Sequence, residues 1–318
     1  MKYYLGMDIG GTKCAVVLSE KSGVAVKDKI RFETKARRGW KAVVDELVSS
    51  AKELLSRNGL SKDDIIACGV SCGGPLDSDK GIIMRPPNLP DWDNVPLADI
   101  VTAKLGCPCK VRNDADACAL AEWKFGAGRG TKNMIFLTFG TGMGAGLILD
   151  GRLYSGTSGT AGEVGHIRLD SDGPVAYGKA GSFEGFCSGA GIAAMAKQML
   201  SIYNGNTVIP KDDISAKTVA EAAENGDRLA GAIYRRCGEK LGLGLSILID
   251  ILNPERIVIG SIFQRSGHLL RESMNEVIKK EALPISAGCC EIVPAQLGDN
   301  IGDFAAIGVA KDFAEGEK

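Results

Sequence analysis

Two glycine-rich turns limit what this chain can fold into more than any other feature. DIGGTK runs from Asp8 to Lys13, and FGTGMGAG runs from Phe139 to Gly146. Each lies between strand-like segments: Tyr3 to Asp8 and Lys13 to Leu18 around the first, Met134 to Phe139 and LILDGRLY around the second. Glycine lets backbone N–H groups converge closely on an anion, so both turns qualify as phosphate cradles. Neither has the spacing of a Walker loop, and neither opens a helix as a dinucleotide fingerprint does. An ordinary glycine hairpin would explain either turn alone. The pair, one per half in matched surroundings, points to a nucleotide clamped between two related lobes.

The intervening pattern is that of an α/β chain. Gly23 to Thr34 reads as a third strand. From Trp40 to Arg57, Trp40, Val43, Val44, Leu47, Val48, Ala51, Leu54 and Leu55 recur at helical spacing. IIACGVSCGG is strand-like, and RPPNLPDWDNVP is too rich in proline for a regular element. PLADIVTAKLG follows as a helix opened by its proline, then CKVRND as a strand. In the second half a long helix, roughly Asp227 to Leu252, precedes the strand RIVIG. The last helix, near Asp303 to Phe313, is expected to fold back on the first lobe, with AEGEK as a frayed tail. At 318 residues two lobes are the natural division: residues 1–115 plus the C-terminal helix (about 303–318), and residues 116–302.

Three polar side chains concentrate in AGEVGHIRLDSDGPVAYGKAGSFEGFCS: Glu163, His166 and Glu184. His166 is one of only two histidines, which makes its presence there informative. Carboxylates accept from paired hydroxyls and imidazole can accept or donate, a combination suited to a sugar. A histidine satisfied by a backbone carbonyl is the plainer alternative. Asn113 and Asp114 close a strand and open the helix ADACALAEWKF. One of them suits a helix N-cap, and a carboxylate there, between two phosphate turns, can also act as general base. Asp116 is expected to point elsewhere and be solvated.

DIGGTK, SCGGP with PPNLPDW, NDADACALAE, FGTGMGAGLILDG and AGEVGH occur in this order. The ordered set resembles the ROK family of sugar kinases and sugar-responsive repressors, from Asp8 to about Ala310. The resemblance implies the two-lobe actin-like/hexokinase (ribonuclease H-like) ATPase fold, an α/β architecture with a duplicated mixed-sheet core. It implies that Asp8 positions Mg²⁺ through water, and that Gly10, Gly11, Thr12, Lys13, Thr141 and Gly142 face the phosphates of ATP, with Gly260 near the nucleotide. Asp114 would be the base, and Asn113, Glu163, His166, Glu184, Gly74 and Asn88 would hold the sugar. A glucokinase-like activity at O6 of a hexose, with N-acetylmannosamine, another hexose or another N-acetylhexosamine as alternative, and a homodimer are further implications.

Two departures stand out. Many members hold a structural zinc through the motif histidine and three cysteines; here the cysteine positions carry Val175, Tyr177 and Ser182. One histidine cannot close a four-ligand zinc site, so no zinc is expected, and packing of Tyr177 and Phe183 should hold the loop. After RIVIG the family's glycine run is replaced by Ser261, Ile262 and Phe263, which would reshape the nucleoside pocket.

Composition narrows the remaining classes. A formal net charge of −1 offers no basic face for nucleic acid. No apolar run reaches the roughly 18 residues that span a bilayer, and the first residues turn to glycine and aspartate too early for a signal peptide. A cytoplasmic protein with neither nucleic-acid nor membrane partners is expected. The DIGGT turn begins so early that no DNA-reading domain should precede it. The ten scattered cysteines fit reduced, buried thiols; a metal role for Cys107 and Cys109 or for Cys289 and Cys290 lacks a second ligand pair. A catalytically inactive sugar sensor is the rival of a different class, and intact cradles with Asp114 favour the kinase.

Overall fold

The computed structural model of the chain describes residues 1–22 and 25–316. Five strands form a first sheet: β1 (Tyr3–Ile9), β2 (Lys13–Glu20), β3 (Val26–Glu33), β4 (Ile65–Cys72) and β5 (Cys109–Asn113), ordered β3-β2-β1-β4-β5. The pairs β1–β2 and β2–β3 are antiparallel, and β1–β4 and β4–β5 are parallel. A second sheet holds β6 (Met134–Leu137), β7 (Ala145–Leu149), β8 (Arg152–Tyr154), β9 (Arg256–Ile259) and β10 (Glu291–Pro294), ordered β8-β7-β6-β9-β10. Its hairpin strands are antiparallel and β6–β9 and β9–β10 parallel. Strand for strand this is the first sheet again, and the two glycine turns occupy equivalent places, β1 to β2 and β6 to β7.

Parallel neighbours need crossovers, which helices supply. α1 (Trp40–Arg57) joins β3 to β4 and buries the apolar stripe that its periodicity predicts; α2 (Leu97–Leu105) joins β4 to β5. α3 (Asp114–Phe125) follows β5. Between β8 and β9 lie α4 (Phe183–Phe186), α5 (Gly189–Leu200), α6 (Ala216–Glu224) and α7 (Arg228–Leu252). Asp227 caps α7 by accepting from the Ala230 N–H at 2.9 Å. α8 (Ile262–Glu281) and α9 (Pro284–Cys289) precede β10, and α10 (Ile301–Gly316) ends the described chain.

Two helices change sides. α3 leaves the first sheet and packs on the second, where Gly146 of β7 has no side chain: a Cβ there would meet Ala119 Cβ at 2.5 Å. α10 leaves the second sheet and packs on the first, where a Cβ on Gly69 of β4 would lie 2.2 Å from the Ala306 oxygen. Gly308 brings α10 against Leu120 and Ala121 of α3, so the two exchanged helices form the seam between the sheets. This is the actin-like/hexokinase ATPase fold with its duplicated mixed-sheet core.

Several boundaries differ from expectation for local reasons. The third strand begins at Val26, while Gly23 and Val24 lie outside the described residues. LILDGRLY is a hairpin rather than one strand: Asp150 and Gly151 both take positive φ (51° and 72°), the two-residue turn that Asp-Gly favours. β6 stops at Leu137, where the chain enters the glycine turn. The expected frayed tail is helical through Gly316, and Glu315 accepts from Lys124 at 3.0 Å; Glu317 and Lys318 lie outside the described residues. All ten cysteines are free; the six buried ones act as small apolar side chains, while Cys289 is exposed. Among the described residues no helix is long and apolar enough to cross a membrane.

Candidate active site

Asp114 is the first residue of α3, and Asn113 before it is the N-cap. The side chains of both accept from the Ala115 N–H, at 2.7 Å (Asn113 Oδ1) and 2.8 Å (Asp114 Oδ1). Capping and cleft-facing roles therefore coexist at this strand end. A Cβ on Gly74 would come 3.2 Å from Asn113 Nδ2, so the glycines after β4 let the wall close around the pair.

Asp114 stands where two cavities meet. One, about 770 Å³, is lined by Asn88, Asn113, Asp114, Gly142, Glu163 and Glu184 together with the rest of the second glycine turn. The other, about 600 Å³, is lined by Asp8, Lys13, Arg31, Ser71, Asp114 and Gly302. Its carboxyl is exposed and faces both cavities. Desolvation by the surrounding walls raises its pKa, the Ala115 N–H lowers it, and Glu163 adds repulsion. A third cavity of about 710 Å³ adjoins the first across Gly140, Thr141 and Ala190 and continues between Ser215, Tyr234 and Arg265.

The charge here is dense. Burial pushes Asp8 up to about 6, with repulsion from Asp303 next and a Ser71 hydrogen bond opposing it. Asp303, buried at the start of α10, is held by Lys29 at 3.0 Å and Arg31 at 3.1 Å. Asp116 does not point to solvent: it is 3% exposed and lines the cleft. α3 packs on β7, and that turns this face of the helix inward. Ser155 donates to its Oδ2 at 3.3 Å, its Oδ1 has no partner, and burial pushes it up to about 6. Its role escapes sequence inspection because nothing local fixes the rotation of α3.

On the opposite wall Glu184 Oε2 accepts from the Met143 N–H at 2.8 Å, stapling α4 to the second glycine turn. A Cβ on Gly142 would intrude to 2.6 Å from that oxygen. Glu163 and Glu184 share this wall; His166 does not. The His166 ring stacks on Tyr177, with centroids 3.6 Å apart, outside the cleft lining. In the first turn Gly11 lies against Asn88, while Gly10 and Thr12 carry the chain past it to Lys13. Thr141 lines the cleft. Gly260 is buried beneath Phe136, and Ser261 reaches the cleft in its place, at a positive φ of 50°.

The family's zinc set does not fit these residues. Val175 is exposed, Ser182 is buried and accepts from the Gly185 N–H at 3.1 Å, and Tyr177 covers the histidine. Phe183 is fully buried beneath the loop. Cys187 turns into the core toward the Cys237 carbonyl at 3.5 Å. Among the described residues no three His, Cys, Asp or Glu side chains stand together as a metal site.

Comparison with known proteins agrees with this architecture. The chain is 32% identical over 307 residues to the glucokinase of Halalkalibacterium halodurans, covering 95% of this chain and 92% of that one. It is 29% identical over 282 residues to the xylose repressor of Caldicellulosiruptor bescii, covering 87% of this chain and 70% of the repressor. Among solved structures, a ROK family glucokinase from Streptomyces griseus in complex with glucose and AMPPNP superposes with a TM-score of 0.75 at 30% identity, over 97% of this chain and 99% of that one. The ROK family model matches residues 4–312. With that match and these relatives along nearly its whole length, the chain belongs to the ROK family.

Proposed function

We propose that this protein is an ATP-dependent sugar kinase that transfers the γ-phosphate of ATP to O6 of a glucose-type hexose, with Asp114 as general base. The observation that carries this reading is the position of Asp114, a desolvated carboxyl shared by two cavities and flanked by both glycine turns. Phosphoryl transfer asks mainly for positioning and charge neutralisation, so an oriented base between a sugar wall and a phosphate cradle is the minimal equipment.

The acceptor side chains Asn113, Glu163 and Glu184, with Gly74 and Asn88 beside them, would orient the sugar in the larger cleft. Asp114 takes the proton of the attacking hydroxyl as the new O–P bond forms and the bond to ADP breaks. Gly11, Thr12, Lys13, Thr141 and Gly142 would receive the phosphates, and the third cavity, past Ser261, the nucleoside. Magnesium neutralises phosphate charge when bound; it keeps several waters and needs only one or two protein carboxylates, which suits Asp8 beside a crowded acidic wall. The lobes, one built on the first sheet with α10 and the other on the second with α3, close over the sugar and exclude water, favouring transfer over hydrolysis.

Similarity to proteins named glucokinase supports glucose rather than N-acetylmannosamine as the substrate here. ADP release with Mg·ATP across hexoses, N-acetylhexosamines and pentoses tests the reading. Turnover on glucose or a close hexose is expected; sugar binding without turnover on any of them would favour the inactive sensor and refute the kinase.

A further inference from the structure

Tyr177 occupies a position where the family carries a zinc-binding cysteine, and what its side chain touches is specific. Its hydroxyl donates to Glu184 Oε2 at 2.7 Å, the same oxygen that accepts the Met143 N–H. Both bonds fall on Oε2, which leaves Oε1 for the cleft. Its ring lies nearly parallel to His166, at 22°. One side chain therefore holds both Glu184, which lines the cleft, and His166, which does not.

The backbone is arranged to hold it there. Val175–Ala176 and Lys179–Ala180 pair as a minimal antiparallel hairpin with Tyr177 and Gly178 at its tip. Tyr177 takes φ 55° and Gly178 φ 70°, so a large non-glycine residue sits in the left-handed region, which L side chains disfavour. Lys179 Nζ donates to the His166 carbonyl and ties the hairpin to the turn that bears the histidine. Tyr177 is 46% exposed, so apolar burial does not explain its placement; the contacts with Glu184 and His166 do.

We propose that Tyr177 is a positioning residue that replaces the zinc ion: its ring rests on His166 and its hydroxyl fixes the Glu184 carboxylate, so that Glu184 is pre-organised in the sugar wall without a metal. This rests on the sugar-binding part of the function proposed above. A hydrogen bond to a carboxylate is stronger than a neutral one, and losing it frees Glu184 to rotate before sugar arrives.

The test compares wild type with Tyr177→Phe, which keeps the ring and removes only the hydroxyl. For the best sugar of the panel, Tyr177→Phe should raise both KM and the calorimetric Kd about tenfold, a size typical of one charge-assisted hydrogen bond. Turnover number, KM for ATP and thermal midpoint should stay within about twofold or unchanged, which separates positioning from general loop stability. Elemental analysis should find no stoichiometric zinc, and chelator treatment should leave sugar Kd unchanged. An unaltered sugar Kd in the variant, or one zinc per wild-type chain, would overturn the proposal. If wild type binds a sugar but never turns it over, the kinase reading falls while the Kd ratio still decides the role of Tyr177. If wild type binds no sugar, both fall.

Discussion

Asp114 and Asp116 lie two residues apart on one helix start and meet different surroundings. Asp114 opens into the cavities, where the proposed sugar hydroxyl would lie. Asp116 is buried against Ser155 with one oxygen unpartnered. Its pKa of about 6, raised from 3.8, makes it a cost to the fold at neutral pH. A carboxyl raised by burial contributes stability that is fully present below its unfolded pKa and lost as pH rises through the folded value. Asp116→Asn removes that loss. The stability of the variant relative to wild type should therefore grow by about 2 kcal/mol between about pH 4.5 and about pH 7.5, measured by urea unfolding. A constant difference would show that Asp116 is not a desolvated carboxylate. The sequence made Asp114 conspicuous through its strand-end position. It could not expose Asp116, whose burial depends on how α3 sits against β7, nor the turning of His166 onto Tyr177.

At the scale of elements, the two strand–turn–strand units were legible because glycine pattern and alternating apolar runs are local. So was α1, whose stripe matches its buried face except that Trp40 is only partly buried and Ser50 joins it. The exchange of α3 and α10 was only half visible: a helix folding back on the first lobe can be expected, but not which glycines receive it. Gly69 is one of them. A Cβ there would press on two backbone atoms of α10, the Ala306 oxygen at 2.2 Å and the Ala310 nitrogen at 2.3 Å, and backbone cannot yield as a side chain end can. Gly69→Ala should cost about 1–3 kcal/mol by overpacking. Gly231→Ala in α7, with nothing within 4 Å of its Cβ, should instead gain up to about 1 kcal/mol. Equal thermal midpoints for the two variants would contradict this packing of α10 on β4. Sequence also missed the hairpin tip at Tyr177, since a tyrosine there carries no turn signal and its place is set by side-chain contacts with Glu184 and His166.

For the whole molecule, duplication explains why chemistry gathers at the seam. Two equivalent turns face each other only because both sheets present them, and the exchanged helices fix how the sheets meet. Asp114 begins one of those helices, Asp303 lies in the first turn of the other, and Asp8 is the penultimate residue of the central strand of the first sheet. Sugar and nucleotide sites built across such a seam are completed by closure, so binding and chemistry are separable at Asp114. The decisive measurement is phosphoryl transfer to the best hexose, followed by ³¹P NMR, in wild type and Asp114→Asn, with sugar Kd measured calorimetrically in both. The account predicts a 6-phosphate product in wild type. In the variant it predicts a fall in turnover of about a thousandfold with Kd changed less than about threefold, as expected for loss of a general base. Turnover retained in Asp114→Asn with undiminished sugar binding would contradict it.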